Sequence, residues 1–289
     1  MKIEARFYET YEMCDVVDRI LRDPLGHLVK LEGFHCDGGW FDLVTPFQKY
    51  SAFHRFIEFV VREVHAEQLE AFNLQANQRI FQNFCDIPPA LADLQPSKLP
   101  IEFAFDHYGI EYQSFAEHLE DCGSSFLAAD DDDLYHFMQD TWLTEPYERL
   151  LNHTVKEVFH VLFQNRSLLR SYNEYVASII RHAAHDEIEA PFSNLFTEKG
   201  TLKRVRPPKW AQRAVFFRDR GRCLLCDKDL SGLLNIGNVE NYDHIVALAQ
   251  NGLNDVSNLQ LLCVDCNQRL KSGGVSMTSE VYQSWYSYD

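Results

Sequence analysis

Two cysteine pairs in the C-terminal quarter of the sequence constrain its fold more than any other feature. Each pair has the spacing CxxC, in CLLC at 223–226 and in CVDC at 263–266. Two thiols separated by two residues can face one ion from a single tight turn, and four thiolates match the tetrahedral coordination of Zn²⁺. The other cysteines are scattered singly, as buried small apolar residues usually are. The sequence therefore predicts a structural zinc site made of Cys223, Cys226, Cys263 and Cys266.

The segment between the two cysteine pairs is too long to be a simple turn. Thirty-six residues separate the pairs, which is more than a simple zinc ribbon uses. A folded element is therefore expected between the two zinc knuckles. This insert contains Asp243, His244 and Asn258, whose side chains can bind a metal ion, move a proton or hold a loop.

The charge of the chain is distributed very unevenly. The formal net charge is −16, but residues 1–199 carry 16 basic and 34 acidic side chains, whereas residues 200–289 carry 11 and 9. Within 201–222 there are eight basic residues and one acidic residue. Because affinity for nucleic acid comes mainly from Lys and Arg, only the C-terminal part has a charge suited to that partner.

The basic stretch includes a predicted helix over residues 209–220. Its apolar side chains are expected to pack, and its arginines are expected to face solvent or a DNA phosphate. The packing set is Trp210, Ala214, Val215 and Phe217, and the phosphate-facing set is Arg213, Arg218 and Arg220 with Lys271 further along. Ordinary surface charge is the alternative interpretation of these basic residues.

Residues 1–195 are predicted to be mainly helical. Apolar residues recur at helical spacing from about 47 to 84, as one long helix or two shorter ones, and again over 112–120 and 134–180. The first forty-five residues are expected to differ, with a strand in IEARFY and two short strands in HLVKLEGFHCDGGWFDLV around a turn at residues 36–39.

Two polar clusters in the N-terminal region have several interpretations. The run Asp130 to Asp133 could bind a cation, cap the helix that follows or form a solvated acidic loop. His182 and His185 have a spacing that suits a metal, although histidines on a helix are more often surface or packed residues. The first 199 residues contain no P-loop and no dinucleotide-binding glycine pattern.

A boundary between two domains is predicted near residue 195. There helical periodicity fades, the charge changes sign, and Gly200, Pro207 and Pro208 interrupt regular structure. The expected domains are therefore 1–195 and 196–289. No apolar run approaches the length of a membrane span, and the N-terminus carries charges where a signal peptide needs an apolar stretch. We expect a cytoplasmic protein that does not bind membranes.

Three segments of the C-terminal part together resemble the HNH endonuclease family: KWAQRAVFFRDRGRCLLC, NYDHIVALAQNG and SNLQLLCVDCNQRLK. The resemblance covers roughly residues 203–275. It implies a small zinc-containing ββα-metal domain after the helical region, which makes the whole chain α+β. In one respect the sequence departs from many members, since Asn267 stands where they have His.

The resemblance implies a metal-dependent DNA endonuclease that hydrolyses phosphodiester bonds. His244 would be the general base that takes a proton from water, and Asp243 and Asn267 would be oxygen ligands of Mg²⁺ or Mn²⁺. The Asn at 267 favours these ions over Ni²⁺ or Zn²⁺ at the catalytic position. By similarity to the family, Asn258 would hold the hairpin loop so that His244 faces the scissile phosphate.

Two further hypotheses belong to other classes. The zinc knuckles and basic helix could form a nucleic-acid-binding module that does not cut. In the other hypothesis, which is compatible with the nuclease, the acidic helical domain could dock a protein partner that delivers or licenses the nuclease, since the negative charge of this domain would repel DNA. The arrangement is similar to HNH effectors of bacterial anti-phage defence and restriction systems.

Overall fold

The computed structural model describes residues 5–35, 40–85, 96–182, 192–232, 240–270 and 276–282. Within these residues the chain is mainly helical with one two-stranded sheet, which confirms the predicted predominance of helix. The helices are α1 (Thr10–Arg22), α2 (Leu28–His35), α3 (Phe41–Val44), α4 (Ala52–Glu70), α5 (Leu74–Cys85), α6 (Pro100–Tyr108), α7 (Phe115–Asp121), α8 (Asp131–Trp142), α9 (Glu145–Leu162), α10 (Arg166–His182), α11 (Lys209–Arg218) and α12 (Val264–Leu270). The strands are β1 (Glu240–His244) and β2 (Leu259–Cys263).

The helical periodicity between residues 47 and 84 corresponds to two helices. In α4, apolar residues at helical spacing such as Phe53, Ile57 and Val60 are fully buried. The helix ends at Glu70, and α5 begins after Asn73, whose side chain accepts a hydrogen bond from the Ala76 amide. An Asn at this position caps a new helix, which explains why the periodic stretch is divided.

The strands expected in the first forty-five residues are wrong wherever the structure describes them. Residues 28–35 form α2 and 41–44 form α3, while residues 5–8 of IEARFY are not a strand. In α2 the buried side chains are Leu31 and Phe34, a helical spacing. Short apolar runs do not distinguish strand from helix by pattern alone. The expected turn at 36–39 lies outside the described residues.

The acidic run at the start of α8 is a helix cap. The Asp130 side chain accepts hydrogen bonds from the amides of Asp132 and Asp133, each at 3.0 Å, and the Asp133 carboxylate accepts from the Asp130 amide. Carboxylates at a helix N-terminus satisfy free amides and complement the helix dipole. As for the histidine pair, His182 Nδ1 lies 2.7 Å from the Ser178 carbonyl oxygen, and His185 lies outside the described residues.

The chain divides into two compact units, each built from separated stretches. Unit 1 comprises residues 1–13 and 58–158, and unit 2 comprises residues 14–57 and 159–289. Both α4 and α9 extend across the division. These units divide at other points of the chain and do not test the boundary expected near residue 195, which stays a prediction.

Unit 1 contains two buried polar groups that are fully enclosed by its helices. The Glu157 carboxylate accepts hydrogen bonds from the Thr10 hydroxyl at 2.9 Å and the Tyr108 hydroxyl at 2.8 Å. His65 is buried, with Nδ1 3.3 Å from the Tyr147 hydroxyl oxygen. Burial, with a smaller contribution from the charge of Arg62, lowers the pKa of His65 to about 4.

Unit 2 contains the sheet and the helices that hold it. Strand β1 is antiparallel to β2, with Glu240 opposite Cys263 and His244 opposite Leu259. The side chains of β2 are all buried, and α12 follows β2 directly and packs on both strands. The order of these elements is therefore strand, strand, helix.

Helices from distant parts of the sequence bind the loop between the two strands. The Asp255 carboxylate accepts a hydrogen bond from the Ala52 amide and so caps the N-terminus of α4. The Phe47 backbone amide donates to the carbonyl oxygen of Asn254, and the side-chain Nδ2 of Asn173, on α10, donates to the Ser257 hydroxyl. Among the described residues, no helix is long and apolar enough to cross a membrane.

Candidate functional site

Four thiols lie together at one end of the sheet. The sulfur atoms of Cys223, Cys226, Cys263 and Cys266 are all within 4.8 Å of one another, and the Cys226 and Cys263 sulfurs are 3.7 Å apart. A tetrahedral zinc site with bonds of about 2.3 Å has sulfur–sulfur edges of about 3.8 Å. The four side chains therefore fit a structural Zn²⁺, and their predicted clustering is confirmed.

Local backbone structure presents the two sulfurs of each pair. In the first knuckle the Asp227 amide donates to the Cys223 carbonyl, and Asp227 adopts a left-handed φ of 62° that reverses the chain. In the second, Cys263 ends β2 and Cys266 lies in the first turn of α12, with its amide 3.5 Å from the Cys263 sulfur. The Leu224 amide donates to the Leu261 carbonyl and joins the first knuckle to β2.

The Asp-His pair lies at the C-terminal end of β1. Asp243 is half-buried opposite Gln260, and His244 is 5% exposed. Burial, with a smaller contribution from the charge of Arg204, lowers the pKa of His244 to about 4. The imidazole of His244 is therefore neutral at pH 7, which is the form that accepts a proton.

Asn258 holds the loop that follows His244. Its side chain is fully buried, with Oδ1 accepting from the Val246 amide at 2.8 Å and Nδ2 donating to the carbonyls of Val246 and Leu253, both at 2.9 Å. Its own carbonyl accepts from the Ile245 amide at 2.7 Å. These bonds close the loop tightly, and a Cβ at Gly252 would lie 1.9 Å from the Val246 carbonyl oxygen. Only glycine fits at that position.

His244 and Asn267 have buried polar atoms without a hydrogen-bond partner, as do several other described side chains, among them Tyr172 and Asn173. Among the described residues, both ring nitrogens of His244 and the Oδ1 atom of Asn267 are buried and have no hydrogen-bond partner. Leaving buried polar atoms unpaired costs about 1–3 kcal/mol each, so such atoms are uncommon in folded proteins. Asn267 lies on α12, which packs on the strand that carries His244. These atoms can accept or ligate a water molecule or a metal ion.

The basic residues of α11 are not arranged as predicted. Arg213 is exposed and Arg220 is half-buried, but Arg218 is only 5% exposed. Its Nε and Nη2 donate to the two carboxylate oxygens of Asp219 at 2.8 and 2.9 Å, and Nη2 also donates to the Leu259 carbonyl. The prediction that Arg218 faces solvent is therefore wrong. Lys271 lies outside the described residues.

The choice of buried face on α11 explains why Arg218 is buried. Its buried side chains are Ala211, Val215 and Arg218, which lie on one face at positions i, i+4 and i+7. Phe217, which was expected to pack, is 75% exposed. An arginine occupies the buried face because Asp219 supplies a counter-charge there, and sequence periodicity carries no information about that pairing.

Sequence reasoning missed two residues beside His244. The Asn254 side chain accepts from the Val205 amide at 3.2 Å and donates to the Lys203 carbonyl at 2.8 Å. It thereby fixes the exposed segment that contains Arg204, whose charge reaches His244. Arg204 was visible only as part of the basic run, and Asn254 had no sequence signal.

Residues 223–273 match the HNH endonuclease family model. This HNH segment contains both zinc knuckles, β1, β2 and α12, and the N-terminal region has no family match. No curated protein and no solved structure gives a match to the chain. The HNH segment supports a nuclease or nucleic-acid-binding role for this part of the protein, and it implies DNA binding.

Proposed function

We propose that this protein is a metal-dependent DNA endonuclease that hydrolyses phosphodiester bonds with a water activated by His244. The observation that carries this proposal is the set of buried, unpartnered acceptor atoms on His244 and Asn267 in the HNH segment, within the described part of the chain. Their position in the HNH segment distinguishes these two side chains from other buried residues with unpaired atoms, such as Tyr172 and Asn173.

His244 is the proposed general base. Its low pKa keeps the ring neutral, and its position at the end of β1 leaves both nitrogens available to a water molecule. A pKa of about 4 makes a free imidazole a weak base, but a phosphate anion bound beside it raises the pKa of the ring. Proton transfer to His244 is therefore expected to become favourable when DNA is bound.

Asp243 and Asn267 are the proposed ligands of Mg²⁺ or Mn²⁺. Both offer hard oxygen atoms, which these ions prefer, and two protein ligands leave coordination positions for phosphate and water. When bound, the ion neutralises charge that develops on the phosphoryl oxygens. Asn258 has a positioning role, because its hydrogen bonds to Val246 and Leu253 fix the loop that starts at His244.

The proposed DNA contacts are the arginines outside the buried face of α11. Arg213 and Arg220 remain candidates, together with Lys271 from the sequence prediction, and we add Arg204 because its charge acts on His244. Arg218 is not among them, because its guanidinium is buried against Asp219. Phosphate contacts of this kind would position the duplex without reading its sequence.

Plasmid cleavage by the purified, zinc-loaded chain tests the proposal. Wild type should give nicked or linear DNA with Mg²⁺ or Mn²⁺ and none with excess EDTA added at the start. His244→Ala should lose cleavage while keeping DNA affinity and zinc content. The matched control is His182→Ala, which removes an exposed histidine whose ring contacts only the Ser178 carbonyl among its described hydrogen bonds. Folded wild type that binds DNA but cuts under neither metal would identify a binding module instead.

This proposal includes a role as the nuclease effector of a bacterial anti-phage defence or restriction system. It also includes action in the cytoplasm, where the DNA of an infecting phage is found. The excess of acidic residues in 1–199 supports docking of a protein partner, since that surface repels DNA. Cells that carry wild type should lower phage plaque counts relative to cells that carry His244→Ala. Equal plaque counts would remove the defence role, and full activity of the chain alone with no partner recovered from cell extract would remove the partner.

A further inference from the structure

A polar cavity lies in unit 2, and none of the proposed catalytic residues lines it. Its volume is about 180 Å³, and it lies between the first zinc knuckle, the C-terminal end of α11, the start of α10 and the segment 279–282. Four of the lining residues are arginines: Arg166, Arg218, Arg220 and Arg222. A cavity of this size accommodates a phosphate group with part of the molecule that carries it.

Four arginines line this cavity, against two carboxylates, those of Asp219 and of Asp227, which pairs with Arg222 at 3.1 Å. The guanidiniums of Arg166 and Arg218 are both buried, and both pair with one carboxylate, that of Asp219. Both carboxylate oxygens of Asp219 are already used, because Oδ2 also accepts from the Leu261 amide. Burial lowers the pKa of Arg166, which is the response of a cation whose surroundings do not fully compensate its charge.

One guanidinium at this cavity has spare hydrogen-bonding capacity. The Nη1 of Arg218 is shielded from solvent and has no hydrogen-bond partner among the residues that the structure describes. In contrast, the Nε and Nη2 of Arg166 donate hydrogen bonds to the carbonyls of Ser279 and Val281. An anion in the cavity would compensate the buried charge and face a donor that the protein leaves unused.

The cavity also has an aromatic wall. The Tyr282 ring lies over the Arg166 guanidinium, with 4.1 Å between Cζ and the ring centroid, and half of this side chain is exposed. Hydrogen bonds from the Arg166 amide to the Tyr282 hydroxyl, and from that hydroxyl to the Gln164 carbonyl, fix the ring. A fixed aromatic ring beside an arginine cluster suits the base and phosphate of a nucleotide.

We propose that this cavity binds the phosphate group of a nucleotide, with Arg220 and Arg222 at the rim and the base against Tyr282. The shared chemistry is a phosphate ester, which could come from a free mononucleotide or from a strand of DNA. The cavity shares Arg220 with the proposed DNA contacts, but the proposal does not depend on cleavage, because none of Asp243, His244, Asn258 and Asn267 lines the cavity.

The zinc centre provides the competing explanation. A zinc ion with four thiolates carries two negative charges, and Cys223 and Cys226 border the same cavity. The arginines could therefore serve only as counter-charges of that centre. The described hydrogen bonds of Arg166, Arg218 and Arg222 nevertheless go to carboxylates and carbonyls and not to sulfur.

The test is calorimetric titration of the zinc-loaded full chain, without Mg²⁺, with inorganic phosphate, dAMP and a short oligothymidylate. Arg220→Gln is the variant, because this rim residue is half-buried and its loss leaves the buried ion pair intact. Lys209→Gln is the matched control, since it removes one charge from an exposed position of α11 outside the cavity. Tyr282→Leu tests the aromatic wall.

We expect Arg220→Gln to weaken binding of a phosphate-bearing ligand by about tenfold, equivalent to about 1.4 kcal/mol, and Lys209→Gln to leave it unchanged. Tyr282→Leu should weaken dAMP binding more than phosphate binding. Arginine-dependent binding of dAMP identifies a free nucleotide as a sufficient ligand, whereas arginine-dependent binding of the oligonucleotide alone identifies a DNA strand. The proposal is overturned if no ligand shows dependence on Arg220, or if Arg220→Gln lowers only zinc affinity.

Discussion

Asn258→Ala should release the loop that positions His244 without removing any group that reacts. The substitution deletes one acceptor and one donor group from a site that is fully buried. It leaves the Val246 amide and the carbonyls of Val246 and Leu253 without their side-chain partners. Water cannot easily replace the lost bonds, because Gly252 is in close contact with Val246 and Asn258.

The expected magnitude follows from these three groups. A buried polar group that loses its partner costs about 1–3 kcal/mol, and relaxation of the loop recovers part of the sum. We expect a local destabilisation of about 3 kcal/mol or more, a large fraction of the 5–15 kcal/mol that stabilises a typical domain. Asn258→Asp keeps the acceptor for the Val246 amide but turns a carboxylate oxygen toward two carbonyls, so it should be no better tolerated.

Hydrogen exchange of zinc-loaded protein, resolved over residues 245–258, measures the effect directly. Amides in this loop should exchange about a hundredfold faster or more in Asn258→Ala, as expected for a loss of about 3 kcal/mol, and plasmid cleavage should fall in parallel. Asn241→Ala makes the same chemical change at a half-buried position on β1 and serves as the control. Exchange in Asn258→Ala that matches the control would refute the view that this side chain holds the loop.

Three other predictions follow from buried charge and from the zinc site. The pKa of His65 is about 4 in the folded chain and about 6.5 in the unfolded one. The free energy of unfolding is therefore unaffected by this histidine above pH 6.5, and it falls by about 3 kcal/mol as the pH is lowered from 6.5 to 4. Urea unfolding of His65→Gln should therefore depend less on pH than wild type, whereas exposed His136→Gln should follow wild type. Arg218→Leu leaves the buried Asp219 carboxylate with Arg166, at 3.8 Å, and the Leu261 amide, and should cost about 1.5–3 kcal/mol in urea unfolding; a loss below about 1 kcal/mol would contradict the ion-pair assignment. Cys226→Ser or zinc chelation should abolish local structure and cleavage together, because Cys266 is adjacent to Asn267, the proposed metal ligand on α12. Full Mg²⁺-dependent cleavage by zinc-free protein would contradict this prediction.

Local spacing carried most of what the sequence could predict. The four thiols cluster as expected because each CxxC pair needs only its own turn and a short strand to bring the pairs together. The helical periodicity of residues 47–84 was also sufficient, since α4 buries one continuous apolar face. Within each cysteine pair and along α4 the residues involved are close in sequence, where pattern and structure are tightly coupled, whereas the two pairs, 36 residues apart, are brought together by the pairing of β1 with β2.

Features that depend on distant partners could not be predicted in the same way. Arg218 is buried because its guanidinium donates to the Leu259 carbonyl, 41 positions away, as well as to the adjacent Asp219, and Asn254 matters because its side chain bonds the backbone of Lys203 and Val205. In α2, the burial of Leu31 and Phe34 decides for helix where the local pattern allowed a strand. In each case a tertiary contact selects one of several structures that the local sequence permits.

Asp255 ties the HNH segment to a helix that begins 203 residues earlier in the chain. A gene fusion that carried only residues 196–289 would separate the loop around Asn258 from the amides of Ala52, Phe47 and Asn173. The transferable piece is instead unit 2, which is encoded by two stretches with residues 58–158 between them. Recombination at a single junction cannot move it intact, so in this protein the HNH segment is expected to be inherited together with its surrounding helices and not exchanged as an independent cassette.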